Sequence, residues 1–144
     1  MSLSESNEKP GTIFRATSDK TVSDVIENIK AKAFEFGFVV RHVFDMKAEY
    51  GEYQVDLDPD FDLHQVMVCN MDGSFKSMSR SMERAALIYQ PKQIVVFTHQ
   101  GTTTVNYCPM SKQCIAEAFP MDREFSEGLS KACHKIVELI KASV

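Results

Sequence analysis

His64-Gln-Val-Met-Val-Cys69-Asn70 is the stretch whose reading decides the fold. Leu63 to Cys69 is short, apolar and partly β-branched, which is the pattern of a strand and too short for a buried helix. Asp72-Gly73-Ser74 breaks the strand and caps a helix predicted over 74–89, with Phe75, Met78, Met82, Ala85, Ala86 and Tyr89 on one face. Pro91 has no N–H to continue that helix and ends it. Ile94-Val-Val-Phe97 and Thr102-Thr-Thr-Val105 then flank His99-Gln-Gly101, which reads as a hairpin with a glycine turn.

The same signals extend in both directions. Upstream, Thr12 to Thr17 reads as a first strand. Thr21, with Asp24 three residues later, opens a helix predicted over 21–36, carrying Val22, Val25, Ile26, Ile29 and Ala33 on one side. Gly37 suits its end, and Phe38 to Phe44 is a second strand. Residues 45–62 fit either a short helical turn or loops. Downstream, Ser111 to Phe119 suits a short helix. The last helix, 122–142, presents Phe125, Leu129, Ala132, Ile136, Leu139 and Ile140 as an apolar stripe. The order is β-α-β-β-α-β-β-α. Hairpin-length links favour one antiparallel sheet with long helices on one face, an α+β fold. Residues 1–10 read as a flexible tail, and 11–144 as a single domain.

Composition narrows the function. The chain has 144 residues, is 44% hydrophobic and 25% charged, and carries a net charge of −4. An acidic balance disfavours nucleic acid as a partner, because phosphate contacts need a basic surface. No apolar run approaches the roughly 20 residues of a membrane span, and the polar opening residues lack a signal-peptide core. The cytoplasm is therefore the expected location, with Cys69, Cys108, Cys114 and Cys133 as reduced thiols. None of them forms a Cys-x-x-Cys pair. No nucleophile triad, glycine-rich phosphate loop or paired-carboxylate signature appears, so no enzyme class and no cofactor is expected.

Several short motifs nevertheless agree with one family. Glu35-Phe-Gly-Phe-Val39 marks a Gly-Phe step from helix to strand. Val68-Cys69-Asn70 ends a strand, Ala85-Ala86 lies in the helix that follows, and Leu87-Ile-Tyr-Gln-Pro91-Lys92 leads into a Val-rich strand. Over residues 12–110 this order resembles the domain of unknown function family 302, whose members carry Cys-Asn-Pro and Leu-Leu-Pro-Cys at the corresponding places. Here Met71 replaces the first proline and Lys92 the second cysteine, so any role requiring both cysteines is in doubt. The resemblance implies a TATA-binding-protein-like β-α-β(4)-α arrangement with an extra helix, and a homodimer. It implies no reaction.

Cys69 is the foremost candidate side chain. A thiol at a strand end facing a helix N-terminus is biased toward the reactive thiolate, and Lys92 would add to that if it approached. A buried cysteine more often only fills space. Asn70, Asp72, Gly73 and Ser74 offer an anion site at the helix start, against plain capping. His42 and His64 on strands suit ligand or acid–base roles, against ordinary structural histidines. Cys108, Cys114 and His99 are one candidate metal set, and a strand advances about 3.3 Å per residue, which sets His99 and Cys108 far apart. Met67, Met71, Met78 and Met82 crowd the region of Cys69, where soft thioethers suit copper but core filling suits them better. Cys133 borders the stripe of the last helix and His134 points away. The leading expectation is a non-catalytic homodimer that binds a small ligand or serves assembly. A thiol protein acting through Cys69 is the alternative, and a metal-binding protein the third.

Overall fold

The structure, a computed structural model, describes residues 13–144. The expected tail over 1–10 and the start of the first strand at Thr12 lie outside the described residues. Five strands form one antiparallel sheet: β1 (Phe14–Ser18), β2 (Val39–Asp45), β3 (Leu63–Cys69), β4 (Gln93–His99) and β5 (Thr102–Tyr107). Their spatial order is β1-β5-β4-β3-β2. The helices are α1 (Val22–Lys32), α2 (Met46–Glu52), α3 (Met71–Arg80), α4 (Ala85–Ile88), α5 (Lys112–Ala118) and α6 (Arg123–Ser143). With the shorter helices α2 to α5 set aside, the order is the β-α-β(4)-α that the family resemblance implied.

Local chemistry explains most boundaries. The Thr21 side chain accepts from the Asp24 N–H and starts α1. A tight turn over Ala33–Phe36 follows, and Gly37 at φ +86° closes it in the left-handed region that glycine enters freely. Gln100 and Gly101, both at positive φ, make the two-residue loop between β4 and β5, in which His99 pairs with Thr102. Two residues in the left-handed region match the twist of the strands they join.

Alternation sets the faces of the sheet. Val66 and Val68 on β3, Ile94 and Val96 on β4, and Val105 and Tyr107 on β5 are all buried under the helices. They meet Val25 and Ile29 of α1 and Ile136, Leu139 and Ile140 of α6. Each such side chain contributes about 2 kcal/mol of transfer free energy, so a one-residue slip of register would cost more than any surface interaction could offset. A second cluster, Ile88, Ile115, Phe125 and Leu129, lies beside the first.

Two sequence expectations need correction. The helix predicted over 74–89 begins earlier, at Met71, and breaks at Ser81, which adopts φ −159° and ψ 113°. The Ser79 hydroxyl donates to the Phe75 carbonyl, 2.9 Å away, a back-bond that weakens the helix just ahead of the break. In consequence Phe75 and Met82 are 68% and 74% exposed instead of facing the core. Next, the cap is Asn70, whose side chain accepts from the Gly73 N–H at 2.9 Å, so Asp72-Gly73-Ser74 forms the first turn and is not the cap. The hairpin strands β4 and β5 lie inside the sheet, and β1 and β2 are its edges.

Candidate functional site

β3, β4 and β5 bring their ends together at one side of the sheet. Tyr107, the last residue of β5, pairs with Phe14 and with Ile94. β3 pairs with β4 as far as Met67 opposite Gln93, so Val68 and Cys69 run on past the start of β4. The turn Gln90–Lys92 packs there against both β3 and α6. It is held by the Tyr107 hydroxyl, which donates to the Pro91 carbonyl at 2.6 Å. Pro91, at φ −88° and ψ 50°, sets the kink that delivers Lys92 into the interior.

Lys92 is 4% exposed. Among the described residues its ammonium makes no ion pair, and no hydrogen bond to its Nζ is present. Burial pushes its pKa down, while Cys69 and Cys133 lie near enough that their thiolate forms would pull it back up. Tyr107 closes the same cluster. Burial first, then Cys133, pushes its hydroxyl pKa far above the usual range, so it is a permanent O–H donor.

Above this cluster is a cavity of about 360 Å³, of a size that suits a small organic molecule. Asn70, the cap of α3, lines it with Gly73 and Ser74 of that helix, Phe125 and Leu129 of α6, Ile88 and Lys92. Gly73 is required here: a Cβ would stand 2.8 Å from Nδ2 of Asn70 and displace the cap. Behind Ser74, the Cys69 thiol donates to the Ser74 hydroxyl at 3.6 Å, and that hydroxyl donates to the Met71 carbonyl at 3.1 Å. Cys69 is thus buried, at 3% exposure, and is a hydrogen-bonded neighbour of the cavity and not part of its lining.

The other cations around the cavity are all matched. Lys76 pairs with Asp72 at 2.9 Å, and Arg80 pairs with Glu124. Arg84 is buried and bidentate to Asp122, with Nε and Nη2 each 2.8 Å from a carboxylate oxygen. Its Nη1 also reaches the Ser77 hydroxyl at 3.1 Å, and its guanidinium lies 5.2 Å from the centre of the Phe125 ring. The hydrogen bonds to Asp122 raise the Arg84 pKa, and Asp122 is lowered in return, chiefly by Arg84. Glu124 is lowered chiefly by its hydrogen bond with Arg80. The pairs of Arg80 and Arg84 fasten the α3–α4 segment to the start of α6, and among the described residues Lys92 is the cation of the lining without a counterion.

The candidates read from sequence separate into two groups. Asn70, Gly73 and Ser74 line the cavity and Cys69 adjoins it. Asp72 points to solvent and serves Lys76. His42 lies on the open face of the sheet with its ring 5.6 Å from that of Phe44. His64 stands between Asp62 at 3.4 Å and Asp45 at 4.0 Å, five residues along β3 from Cys69, about 16 Å away. Cys108 and Cys114 are exposed, and among the described residues no group of three His, Cys, Asp or Glu side chains converges as a metal would require. Lys92 and Arg84 were not singled out from sequence as binding residues. A charged residue set between Pro91 and the apolar run of β4 was the available signal for Lys92.

The model of a family described as domain of unknown function DUF302 matches residues 14–142, and so reaches through α6. The crystal structure of an uncharacterized conserved protein DUF302 from Bacillus stearothermophilus is similar over 92% of this chain and 98% of that one. The TM-score is 0.71 at 15% identity, a likeness of fold. No curated protein matches.

Proposed function

Since this chain belongs to the DUF302 family, which is described by a domain and by no reaction, we propose its function from the cavity: it is a binding module for a small molecule with an apolar body and an anionic or oxygen-acceptor end. The observation that supports the reading is Lys92, a buried ammonium without a counterion among the described residues, in a cavity also lined by Ile88, Phe125 and Leu129. An unpaired buried charge is costly, and a ligand carboxylate would offset that cost while the walls shed water from its chain. Isothermal calorimetry with hexanoate tests it. Saturable binding is expected, weakened about tenfold or more in Lys92→Met, the scale of one charge-assisted hydrogen bond. Absent binding, or equal binding by the variant, removes the reading.

Assembly as a homodimer belongs to the same proposal. The sheet face away from the helices carries Leu63, Met67, Val95 and Phe97, half-buried, with Phe44 beside them. A second copy related by a two-fold axis would cover this face with the same face. Light scattering at micromolar protein should give twice the chain mass, and a monomer mass refutes it. No helix among the described residues is long and apolar enough to cross a membrane.

A thiol function for Cys69 is a second reading, supported by its nearness to Lys92. It expects brief alkylation of the native protein to modify Cys69 ahead of Cys133, with exposed Cys108 and Cys114 labelled first of all. Modification of Cys69 only after denaturation makes it a packing residue.

A further inference from the structure

We propose that Lys92 captures aldehydes and ketones in the cavity as a reversible imine. The inference rests on reading the cavity as a ligand site and names the class of ligand it holds covalently. Three observations support it. Lys92 is one of the residues that line the cavity, and its nitrogen keeps some contact with solvent. Among the described residues no carboxylate stands against it to hold its proton, whereas Lys76, Arg80 and Arg84 each have one. The walls beside it, Ile88, Phe125 and Leu129, are apolar and buried, so its ammonium gives up a proton more readily than that of a surface lysine and supplies the free amine that the addition needs.

The chemistry needs no oxidant and no cofactor. The Nζ lone pair adds to the carbonyl carbon, the C=O π pair moves to oxygen, and a proton passes from nitrogen to that oxygen. The carbinolamine then expels its hydroxyl, with a proton, as water, and the C=N bond forms. One water leaves for each imine made, and water entering the cavity reverses the step. The neighbouring Cys69 thiol is occupied in its hydrogen bond to Ser74. The Tyr107 hydroxyl donates to Pro91 and fixes the turn without entering the reaction. The cavity volume of about 360 Å³ suits a short aliphatic chain behind the carbonyl.

Hexanal with sodium cyanoborohydride tests the proposal on the full chain near neutral pH. The reductant converts any imine into a stable secondary amine, located by peptide mass mapping. One hexyl adduct per chain is expected, on Lys92 ahead of every surface lysine, suppressed by excess hexanoate and lost in Lys92→Met. Lys92→Arg, which keeps the charge but forms no such imine, should lose the adduct and retain hexanoate binding. If the adducts spread over surface lysines in the same pattern in wild type and Lys92→Met, the proposal is overturned. If hexanoate binds but Lys92 stays unmodified, imine capture fails and the binding module stands. If hexanoate does not bind either, both fail.

Discussion

Replacing Lys92 with Met stabilises the protein by on the order of 1–3 kcal/mol near neutral pH, because a buried unpaired charge is exchanged for an apolar side chain of similar length. Two effects oppose the gain, and both are small. The electrostatic help from Cys69 and Cys133 is smaller than the effect of burial. The lost contact volume is slight, since methionine fills most of the lysine stem. Urea unfolding of both proteins decides the matter. A variant less stable than wild type would mean that Lys92 has a partner within the fold. A residue kept at a cost to stability at the base of a cavity is the expected mark of a site retained for function.

The gain should also depend on pH, with a sign that follows from the direction of the shift. Burial lowers the Lys92 pKa in the folded chain below its ordinary value of 10.5. Between the folded and unfolded values the unfolded chain binds more protons, so wild-type stability rises with pH there. The penalty is complete below the folded pKa and gone above 10.5. The advantage of Lys92→Met is therefore largest below the folded value and shrinks as pH climbs toward 10.5. A pH-independent difference would show that the two states titrate alike and that Lys92 is hydrated in the folded protein.

The reach of sequence reasoning follows from how local each signal is. β3 spans Leu63–Cys69 as its apolar run predicts, and α6 buries Phe125, Leu129, Ile136, Leu139 and Ile140 as its spacing predicts. Both patterns are written within one element. The break of α3 at Ser81 is less legible, because the competing Ser79 hydroxyl bond is weak beside the apolar spacing that ran through Met82. The cavity is less legible still. Asn70, Gly73 and Ser74 were visible as a helix start, but their neighbours Phe125 and Leu129 come from the far end of the chain. In the sequence Lys92 stands where the family's second cysteine is missing and as a possible cation near Cys69, with no sign that it is buried. Its meaning depends on Cys69, Cys133 and Tyr107, which lie on three different elements and meet only when the sheet has formed.

Tyr107→Phe should cost about 1–3 kcal/mol, although it removes a single oxygen. The ring stays, so the packing of Tyr107 against Phe14 and Ile94 across the strands is conserved. What goes is the 2.6 Å hydrogen bond to the Pro91 carbonyl, in a buried place where water cannot replace the donor. The loss also reaches the cavity, because that bond fixes the turn that carries Lys92. Two readouts separate these effects. Thermal unfolding should fall by about 2–4 °C for each kcal/mol lost in a domain of this size. Hexanoate affinity should fall as well if Tyr107 positions Lys92, and in a Lys92→Met background the Tyr107→Phe change should no longer alter it. This coupling between the two substitutions is the signature of one residue acting through the other. A stability change within about 0.5 kcal/mol of zero would place Tyr107→Phe among neutral surface-like substitutions. It would show that the Gln90–Lys92 turn is held by β3 and α6 alone.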